Sequence, residues 1–513
     1  MSQKIDPFAL EIIWTRLISI VDEAATTFVR TAFSSLAREA NDYAVVITDA
    51  VGQAVAQSSV SIPSFTGTVP ATIRYFLKRF PAETLQEGDV LITNDPWMGT
   101  GHVHDITIAT PVFWRGTLVA FAGITSHMPD IGGRLRSSGI REIYEEGLQI
   151  PMLKLVEAGR TNSVIVDFIA QNVRVPEATM GDVWGEVAAC HKVSERLHEL
   201  LDETEVAFPD LSREIRARSE AAMREAIRQL PSGEYRYDIE HDGFEDKILI
   251  RACIKVAEES MHIDFTGTSP QLPRAVNVVP NYTSAYTIYG IKAMICPDIP
   301  NNQGSSVPVS IFAPEGCILN PRYPAPGGAR GMIGHLLPVA VMGALSAAAP
   351  DRVWAPGSGN SALTIAGQHH GRPYAGVYFW NAGQGASQKR DGLSVISFPS
   401  NLSNTAIEQM EASVPIRVRH REIRRGSGGA GAHRGGDGLK FAFRFIGDSP
   451  AVCSFIMTRM KIAPPGLQGG EAGLPGRVTI DGKTTNIVEH IVLQPGSEVV
   501  IETAGGGGFG APA

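Results

Sequence analysis

The chain has 513 residues, of which 43% are hydrophobic and 19% charged, so its length suits about three or four domains. Its 45 lysines and arginines against 53 aspartates and glutamates give a net charge of −8. This balance, without a basic patch, argues against nucleic acid as the main partner. No apolar run approaches the roughly 20 residues that cross a bilayer, and residues 1–30 lack a secretion signal, so we expect no membrane association.

The glycine and cysteine content indicates what kind of protein this is. The chain contains 53 glycines and 33 prolines, and the glycines are concentrated between Gly426 and Gly510. Because the apolar fraction is ordinary, this excess indicates tight loops in a globular protein rather than disorder. The five cysteines include no C-x-x-C pair, which fits reduced thiols. We therefore expect a cytoplasmic protein.

The predicted elements alternate between helices and strands. Residues 7–32 have apolar positions at helical spacing after a capping Asp6, and residues 43–48 form a strand-like run. Residues 161–229 are mostly helical in pattern, and the part beyond residue 404 shows short strand runs between glycines. These patterns predict an α+β fold of several domains, with a helical and hairpin-containing N-terminal part and a β-rich C-terminal part. The predicted domains are 1–232, 233–403 and 404–513.

The most informative segment predicts a β-hairpin. Two strand-like runs, 106–113 and 117–124, are joined by a short turn that contains Gly116. If the turn centres on this glycine, the numbers of opposite residues add up to about 232. Asp105 would then lie opposite His127 and His102 opposite Asp130, with Cβ atoms of direct partners about 4.5–5.5 Å apart.

Such a cluster of imidazoles and carboxylates suits Zn²⁺, Mn²⁺ or Fe²⁺. With an open coordination position it would provide a metal-bound hydroxide near neutral pH. The competing interpretation is that these side chains only cap strand ends and bind nearby loops. The hairpin geometry favours the metal site but does not choose between His102 and His104.

Nucleotide-binding motifs are not convincing. Residues 426–431 satisfy G-x-G-x-x-G, but the strand-like run 439–445 follows them, whereas a dinucleotide site needs a helix there. No G-x-x-x-x-G-K-[ST] motif occurs in the chain. The sequence thus gives no ATP site of its own.

Short motifs along nearly the whole chain carry a family resemblance. They include Asn41-Asp42-Tyr43, Asn94-Asp95-Pro96, Gly101-His102 with Asp105, His127 with Asp130-Ile131-Gly132-Gly133, Glu146-Gly147-Leu148 and the tail Gly505–Gly510. In this order they resemble the hydantoinase B/oxoprolinase family, which also contains the large subunits of acetone and acetophenone carboxylases.

The resemblance implies roles for individual residues. It implies that Asp42, His102, Asp105 and His127 are the ligands of a divalent metal, with Zn²⁺ or Mn²⁺ expected. It therefore favours His102 over His104 as the metal ligand. At the position of His104 the family more often has an uncharged residue. His104 and Asp130 are left as candidate catalytic residues.

Three arginines follow the proposed site. Arg134, Arg136 and Arg141 lie just after the Asp-Ile-Gly-Gly turn, and guanidinium groups there could bind a substrate carboxylate or phosphate. The alternative is that they are solvated loop arginines with ordinary ion pairs. The sequence favours neither of these two interpretations.

The family also implies a partner. Its members work with a hydantoinase A-like ATPase subunit, so ATP and Mg²⁺ are expected on that partner, in a hetero-oligomer. The implied reaction opens a cyclic amide such as 5-oxoproline, a hydantoin or a lactam after the partner phosphorylates its carbonyl oxygen. The alternatives are the large subunit of an ATP-dependent ketone carboxylase and a non-catalytic scaffold with a structural metal.

Overall fold

The computed structural model describes residues 5–204 and 206–513. The α-helices in these ranges are α1 (Pro7–Thr31), α2 (Ser35–Arg38), α3 (Pro63–Arg79), α4 (Ser163–Asn172), α5 (Pro176–Thr204), α6 (Phe208–Arg228), α7 (Pro280–Ile295), α8 (Gly331–Gly334), α9 (Leu336–Ala344) and α10 (Ile407–Ser413). Among the described residues, no helix combines the length and the apolar character that a membrane span requires.

An antiparallel sheet forms the N-terminal part. Its strands are β1 (Tyr43–Asp49), β2 (Ala54–Gln57), β3 (Val90–Thr93), β4 (Asp105–Trp114), β5 (Thr117–His127), β6 (Leu153–Glu157) and β7 (Arg160–Thr161). They are ordered β2-β1-β5-β4-β3-β6-β7. Apolar residues of α1 and α5 share a core with one face of this sheet, and those of α3 share a core with the other face. Both faces are therefore covered by helices.

The central part contains a smaller sheet. Its strands are β8 (Gly233–His241), β9 (Ile248–Ala257), β10 (Ser260–Asp264) and β11 (Val309–Phe312), in the order β11-β10-β9-β8. Helices α7 and α9 contribute to the core beneath this sheet. Helix α7 also packs along α3, so it connects the central part to the N-terminal sheet.

Two sheets pack on one apolar core in the C-terminal part. The first contains β12 (Ser361–His369), β13 (Arg372–Trp380), β16 (Ala451–Ile456) and β19 (Ile491–Leu493), ordered β13-β12-β16-β19. The second contains β14 (Ile416–Arg424), β15 (Gly438–Phe445), β17 (Arg477–Ile480), β18 (Lys483–Thr484) and β20 (Glu498–Glu502), ordered β14-β15-β20-β17-β18.

The α+β class and the first helix are confirmed. Helix α1 begins at Pro7, and the Asp6 carboxylate accepts hydrogen bonds from the backbone N–H groups of Phe8 and Ala9. The predicted domain limits stay predictions. The first falls between α6 and β8, but the sheet that joins β12 to β16 extends across residues 403 and 404. The structure thus groups residues 361–380 with the C-terminal strands.

The glycine-rich tail is packed rather than free. Gly506 donates to the Gly436 carbonyl and accepts from the Gly429 N–H, both at 2.9 Å. A Cβ atom on Gly506 would lie 2.0 Å from the Gln384 carbonyl oxygen, so only glycine fits there. The 426–431 segment is followed by β15 and not by a helix, which agrees with the rejection of a dinucleotide site.

Helices α3 and α7 cross at Gly67, which generates a prediction about stability. A Cβ atom on Gly67 would lie 2.6 Å from the Ala285 Cβ atom and 3.1 Å from its Cα atom. Replacing glycine by alanine in an exposed helix stabilises the folded protein by about 1 kcal/mol. An added methyl group in a packed core instead destabilises it by about 1–3 kcal/mol. We expect Gly67→Ala to lower the free energy of unfolding, measured by denaturant titration. The control Gly185→Ala, whose added Cβ comes no closer than 3.3 Å to a neighbour, should lower it less; equal effects would contradict the close crossing.

Candidate metal centre

The β4–β5 hairpin brings Asp105 and His127 together as the sequence predicts. They are direct partners at the open end of the hairpin, and the pairs from there to Val112 and Ala120 keep the expected register. A bulge after Val112 then shifts the pairing by one residue near the turn. The bulge lies away from the open end and leaves the site unaffected.

Two imidazoles converge on one oxygen of the Asp105 carboxylate. His102 Nε2 lies 2.7 Å and His127 Nδ1 2.8 Å from Asp105 Oδ1. One potential ligand atom from each of the three residues lies within 4.8 Å of the other two. All three side chains are buried, with at most 2% of each residue exposed. The hairpin therefore concentrates three metal-ligating groups in a space that excludes bulk water.

The second oxygen of Asp105 is bound from two further directions. Thr100 Oγ1 donates to Asp105 Oδ2 at 2.5 Å, and Arg330 Nη2 donates to the same oxygen at 2.6 Å. Burial acts to raise the pKa of Asp105, but His102 and Arg330 together hold it well below its usual range. The carboxylate is thus ionised and fixed in orientation.

The donor chemistry of this cluster fits a divalent metal ion. Burial lowers the pKa of His127 to about 4 and that of His102 well below its usual value, so both rings are neutral, as metal ligands must be. His127 Nε2 is buried without a hydrogen-bond partner among the described residues. Two imidazoles with a carboxylate suit Zn²⁺ or Mn²⁺.

Asp42 approaches the cluster from the residue before β1. Its carbonyl oxygen accepts from the His127 N–H at 3.1 Å, and its side chain lines the same cavity as His102. Burial and the charge of Asp105 raise the pKa of Asp42 to about 7. Asp42 lies outside the tight group of three, so its role as fourth ligand stays a prediction.

His104 lies against both imidazoles but away from the cavity. Its ring centroid is 5.2 Å from that of His102 and 5.5 Å from that of His127, and it is nearly parallel to the His127 ring. His104 Nδ1 is buried without a hydrogen-bond partner among the described residues. Since His104 is not part of the cavity lining, its position suits packing of the two rings better than contact with a substrate.

A cavity of about 70 Å³ adjoins the cluster. The N-terminal part supplies the cluster and Phe65 to its wall, and α7 supplies Tyr282. Arg136 lines the cavity as well, is 8% exposed, and has its pKa lowered to about 10 by burial. No carboxylate oxygen lies within 4.0 Å of its nitrogens among the described residues. Of the three predicted arginines, Arg136 is the one that faces the site.

The other two arginines lie apart from the cavity. Arg134 donates to Glu145 at 2.6 Å and also pairs with Glu489 at 3.3 Å. The exposed Arg141 donates its backbone N–H to Glu145. Neither is part of the cavity lining. The structure thus assigns Arg134 to surface ion pairs and does not bring Arg141 to the cluster.

Asp130 is not placed opposite His102 in the sheet. Strand β5 ends at His127, and the Asp130 carboxylate turns to Arg174, whose guanidinium donates to it at 2.6 Å. It also accepts from the backbone N–H groups of Arg174 and Gly132. These bonds occupy Asp130 in fixing the loop, because the strand pairing that the prediction extrapolated stops three residues earlier.

Sequence reasoning missed two buried charges at the site. Arg330 comes from the central part and binds Asp105. Glu146 is fully buried, and its Oε1 accepts from the N–H groups of Gly327 at 2.7 Å and Gly328 at 2.6 Å. The Gly328 carbonyl lies 3.3 Å from His102 Nδ1, so Glu146 positions His102 through this turn. Family motifs signalled Glu146, but no local pattern signalled Arg330.

The role of Glu146 can be tested by truncation. Glu146→Ala leaves two buried N–H groups without their acceptor, each worth about 1–3 kcal/mol. We expect a lower free energy of unfolding and weaker divalent-metal binding, measured by denaturation and by metal titration. Glu146→Gln keeps one acceptor oxygen and should lose less of both. A Glu146→Ala variant with wild-type metal affinity would contradict the positioning role.

Comparison with known proteins identifies similar chains. The chain is 30% identical to a Pseudomonas sp. (strain NS671) protein that is named as one component of a "Putative D-/L-hydantoinase", over 99% of this chain and 91% of that protein. The crystal structure of ATP-dependent caprolactamase from Pseudomonas jessenii is similar with a TM-score of 0.90 and 27% identity, over 99% of this chain and 92% of that chain.

A second solved structure shares the fold alone. Nucleotide-free acetone carboxylase has a TM-score of 0.88 at 20% identity, over 98% of this chain and 76% of that chain.

The model of the family described as hydantoinase B/oxoprolinase matches residues 6–512. The chain therefore belongs to the hydantoinase B/oxoprolinase family.

Proposed function

We propose that this chain is the metal-bearing subunit of an ATP-dependent amidohydrolase that opens a cyclic amide of the hydantoin, 5-oxoproline or lactam type. The observation that carries the proposal is the buried group His102, Asp105 and His127 at the wall of a cavity. The names of two similar proteins, a hydantoinase subunit and an ATP-dependent caprolactamase, both refer to cyclic amides. The coarse chemistry is thus common to these two proteins, and the individual ring is left to experiment.

A partner subunit completes the proposed reaction. An amide resists attack at carbon because resonance gives its C–N bond partial double-bond character. Transfer of the γ-phosphoryl group of ATP to the carbonyl oxygen releases ADP and removes this resonance, because the amide becomes an O-phosphorylated imidate whose carbon accepts a nucleophile. We assign this transfer to a hydantoinase A-like ATPase, because this chain has no P-loop motif and the similar hydantoinase protein is named as a subunit. The proposed enzyme is therefore a hetero-oligomer.

The side chains of this chain prepare the second step, in which water adds to the activated carbon. The ring nitrogen then takes up a proton and leaves, which breaks the C–N bond and gives an acyl phosphate. A second water hydrolyses this acyl phosphate to a carboxylate and inorganic phosphate. In our proposal His102, Asp105 and His127, with Asp42 as a fourth group, hold the metal. A bound Zn²⁺ or Mn²⁺ supplies a water of lowered pKa and stabilises the negative charge that develops during attack. Arg330 keeps the Asp105 carboxylate ionised and oriented. Phe65 and Phe379 contribute apolar surface to the cavity wall that limits access of bulk water.

Arg136 is the group that we assign to the substrate. It is buried and lines the cavity without a carboxylate of its own, whereas Arg330 is committed to Asp105. A guanidinium group offers paired donors that match phosphate and carboxylate oxygens. Arg136 thus suits the phosphoryl group of the activated amide, and Arg134, Arg141 and Asp130 are left out of the proposed machinery.

Turnover with the partner tests the proposal. We expect the chain co-expressed with its ATPase subunit to open hydantoin, 5-oxoproline or caprolactam with release of ADP and phosphate, followed by chromatography of the ring-opened product. Asp105→Asn should lower kcat by at least about a hundredfold, because it removes a ligand charge from the site. The exposed control Arg115→Gln should leave the rate unchanged. Bicarbonate-dependent consumption of acetone with no ring opening would instead identify a ketone carboxylase.

Metal content tests the ligand set independently of turnover. We expect His127→Ala to bind its metal at least about tenfold more weakly than the wild type, since loss of even an outer-shell partner costs tenfold to a hundredfold. The measurement is metal stoichiometry by mass spectrometry after dialysis. His191→Ala, at an exposed position of α5, is the matched control. Unchanged stoichiometry in His127→Ala would remove this residue from the site, and Asp42→Ala tests the fourth ligand in the same way.

A further inference from the structure

A second, larger cavity lies against other faces of helices α3 and α7. Its volume is about 650 Å³, within the range of roughly 300–1,000 Å³ that small-molecule sites occupy. From α3 it is lined by residues such as Thr66 and Arg74, and from α7 by residues such as Ser284 and Lys292. The cavity at the metal centre instead meets Phe65 of α3. The two helices therefore border two separate spaces.

The lining of this second cavity is cationic. It contains Arg74 and Lys292 but no aspartate or glutamate from the described part of the chain. Within the same ranges, neither cation has a carboxylate oxygen within 4.0 Å. Asp49 and Asp298, the carboxylates whose charges act on them, are not part of the lining. Asp49 is bound instead by Arg216 at 3.0 Å.

Both cations retain donors for a ligand. Arg74 uses Nη1 for the Gly52 carbonyl at 2.8 Å and for Gln303 Oε1 at 3.4 Å, which leaves Nε and Nη2 without an acceptor among the described residues. Lys292 Nζ donates to the carbonyls of Cys296 and Ile299, so one of its three N–H bonds is left over. Burial lowers the pKa of both groups and outweighs the nearby acidic groups, which act to raise it, so each cation is only partly compensated by opposite charge.

We propose that the second cavity binds a small molecule that carries a carboxylate or phosphate group, with Arg74 and Lys292 as its recognition groups. Serine and amide side chains such as Ser59, Ser284 and Asn281 add polar surface around them, and Ile288 and Tyr289 add apolar surface. This mixture of a few charged groups with apolar wall is typical of a ligand site. The site is distinct from the metal centre and does not depend on the proposed reaction.

Anion titration of the full-length chain tests the site without any turnover. Inorganic phosphate and glutarate are titrated separately into the wild type by calorimetry, which distinguishes the two anion classes. We expect saturable binding of at least one, and a loss of affinity of about tenfold or more in Arg74→Met and in Lys292→Met. The surface control Arg115→Gln should bind as the wild type does. Absence of binding for both anions would overturn the proposal.

Two further variants keep the test decisive. Ser284→Phe fills part of the cavity and leaves both cations in place, so it should abolish binding even if Arg74→Met fails to fold. Arg136→Met removes the arginine of the metal centre that has no carboxylate partner of its own and should leave this binding intact. If binding is lost in Arg136→Met and kept in Ser284→Phe, the anion belongs to the metal centre and the proposal is wrong. Circular dichroism of each variant measures whether it is folded.

Discussion

The buried carboxylate of Asp105 is the interaction on which the site depends. One of its oxygens receives His102 and His127, and the other receives Thr100 and Arg330. Asp105 and these four groups come from a loop, both strands of a hairpin and the central part of the chain. Loss of one member of a buried charge network leaves its partners uncompensated, which commonly costs about 3–5 kcal/mol. The network therefore ties the chemistry of the site to the packing of the N-terminal and central parts.

The packing of helices α3 and α7 affects the groups that bind Asp105. Their close crossing at Gly67 sets the distance between the N-terminal sheet and the central part. Arg330 stacks over Tyr282 of α7, with 4.5 Å between the guanidinium carbon and the ring centroid. The position of α7 thus affects the guanidinium that orients Asp105. Because the same helices border the larger cationic cavity, a small shift between them would change the shape of both cavities.

Much of this could be predicted from the sequence because it rests on local geometry. The hairpin arithmetic placed Asp105 opposite His127, since a short turn fixes register over adjacent residues. The same extrapolation failed for Asp130, which lies beyond the strand end and whose carboxylate binds Arg174. Arg330 lies 225 positions from Asp105, and no periodicity or spacing carries information over that separation. The burial of Glu146 could likewise not be predicted from the sequence, because it depends on a turn formed far along the chain.

The balance of charge at the site gives a reason for the proposed order of events. Arg136 and Arg330 offset the carboxylates of Asp42 and Asp105, and the pKa of about 7 at Asp42 shows that burial and Asp105 oppose its ionisation. Under the proposed function, a divalent cation held by these residues would relieve this repulsion and would leave the buried site with an excess of positive charge. Such a site attracts an anion much more strongly than a neutral ring, because buried charges are poorly screened. Under the proposed function, phosphorylation therefore both activates the amide and gives it the charge that this cavity selects, so the phosphorylated amide and not the free ring is the species that the metal centre is built to receive.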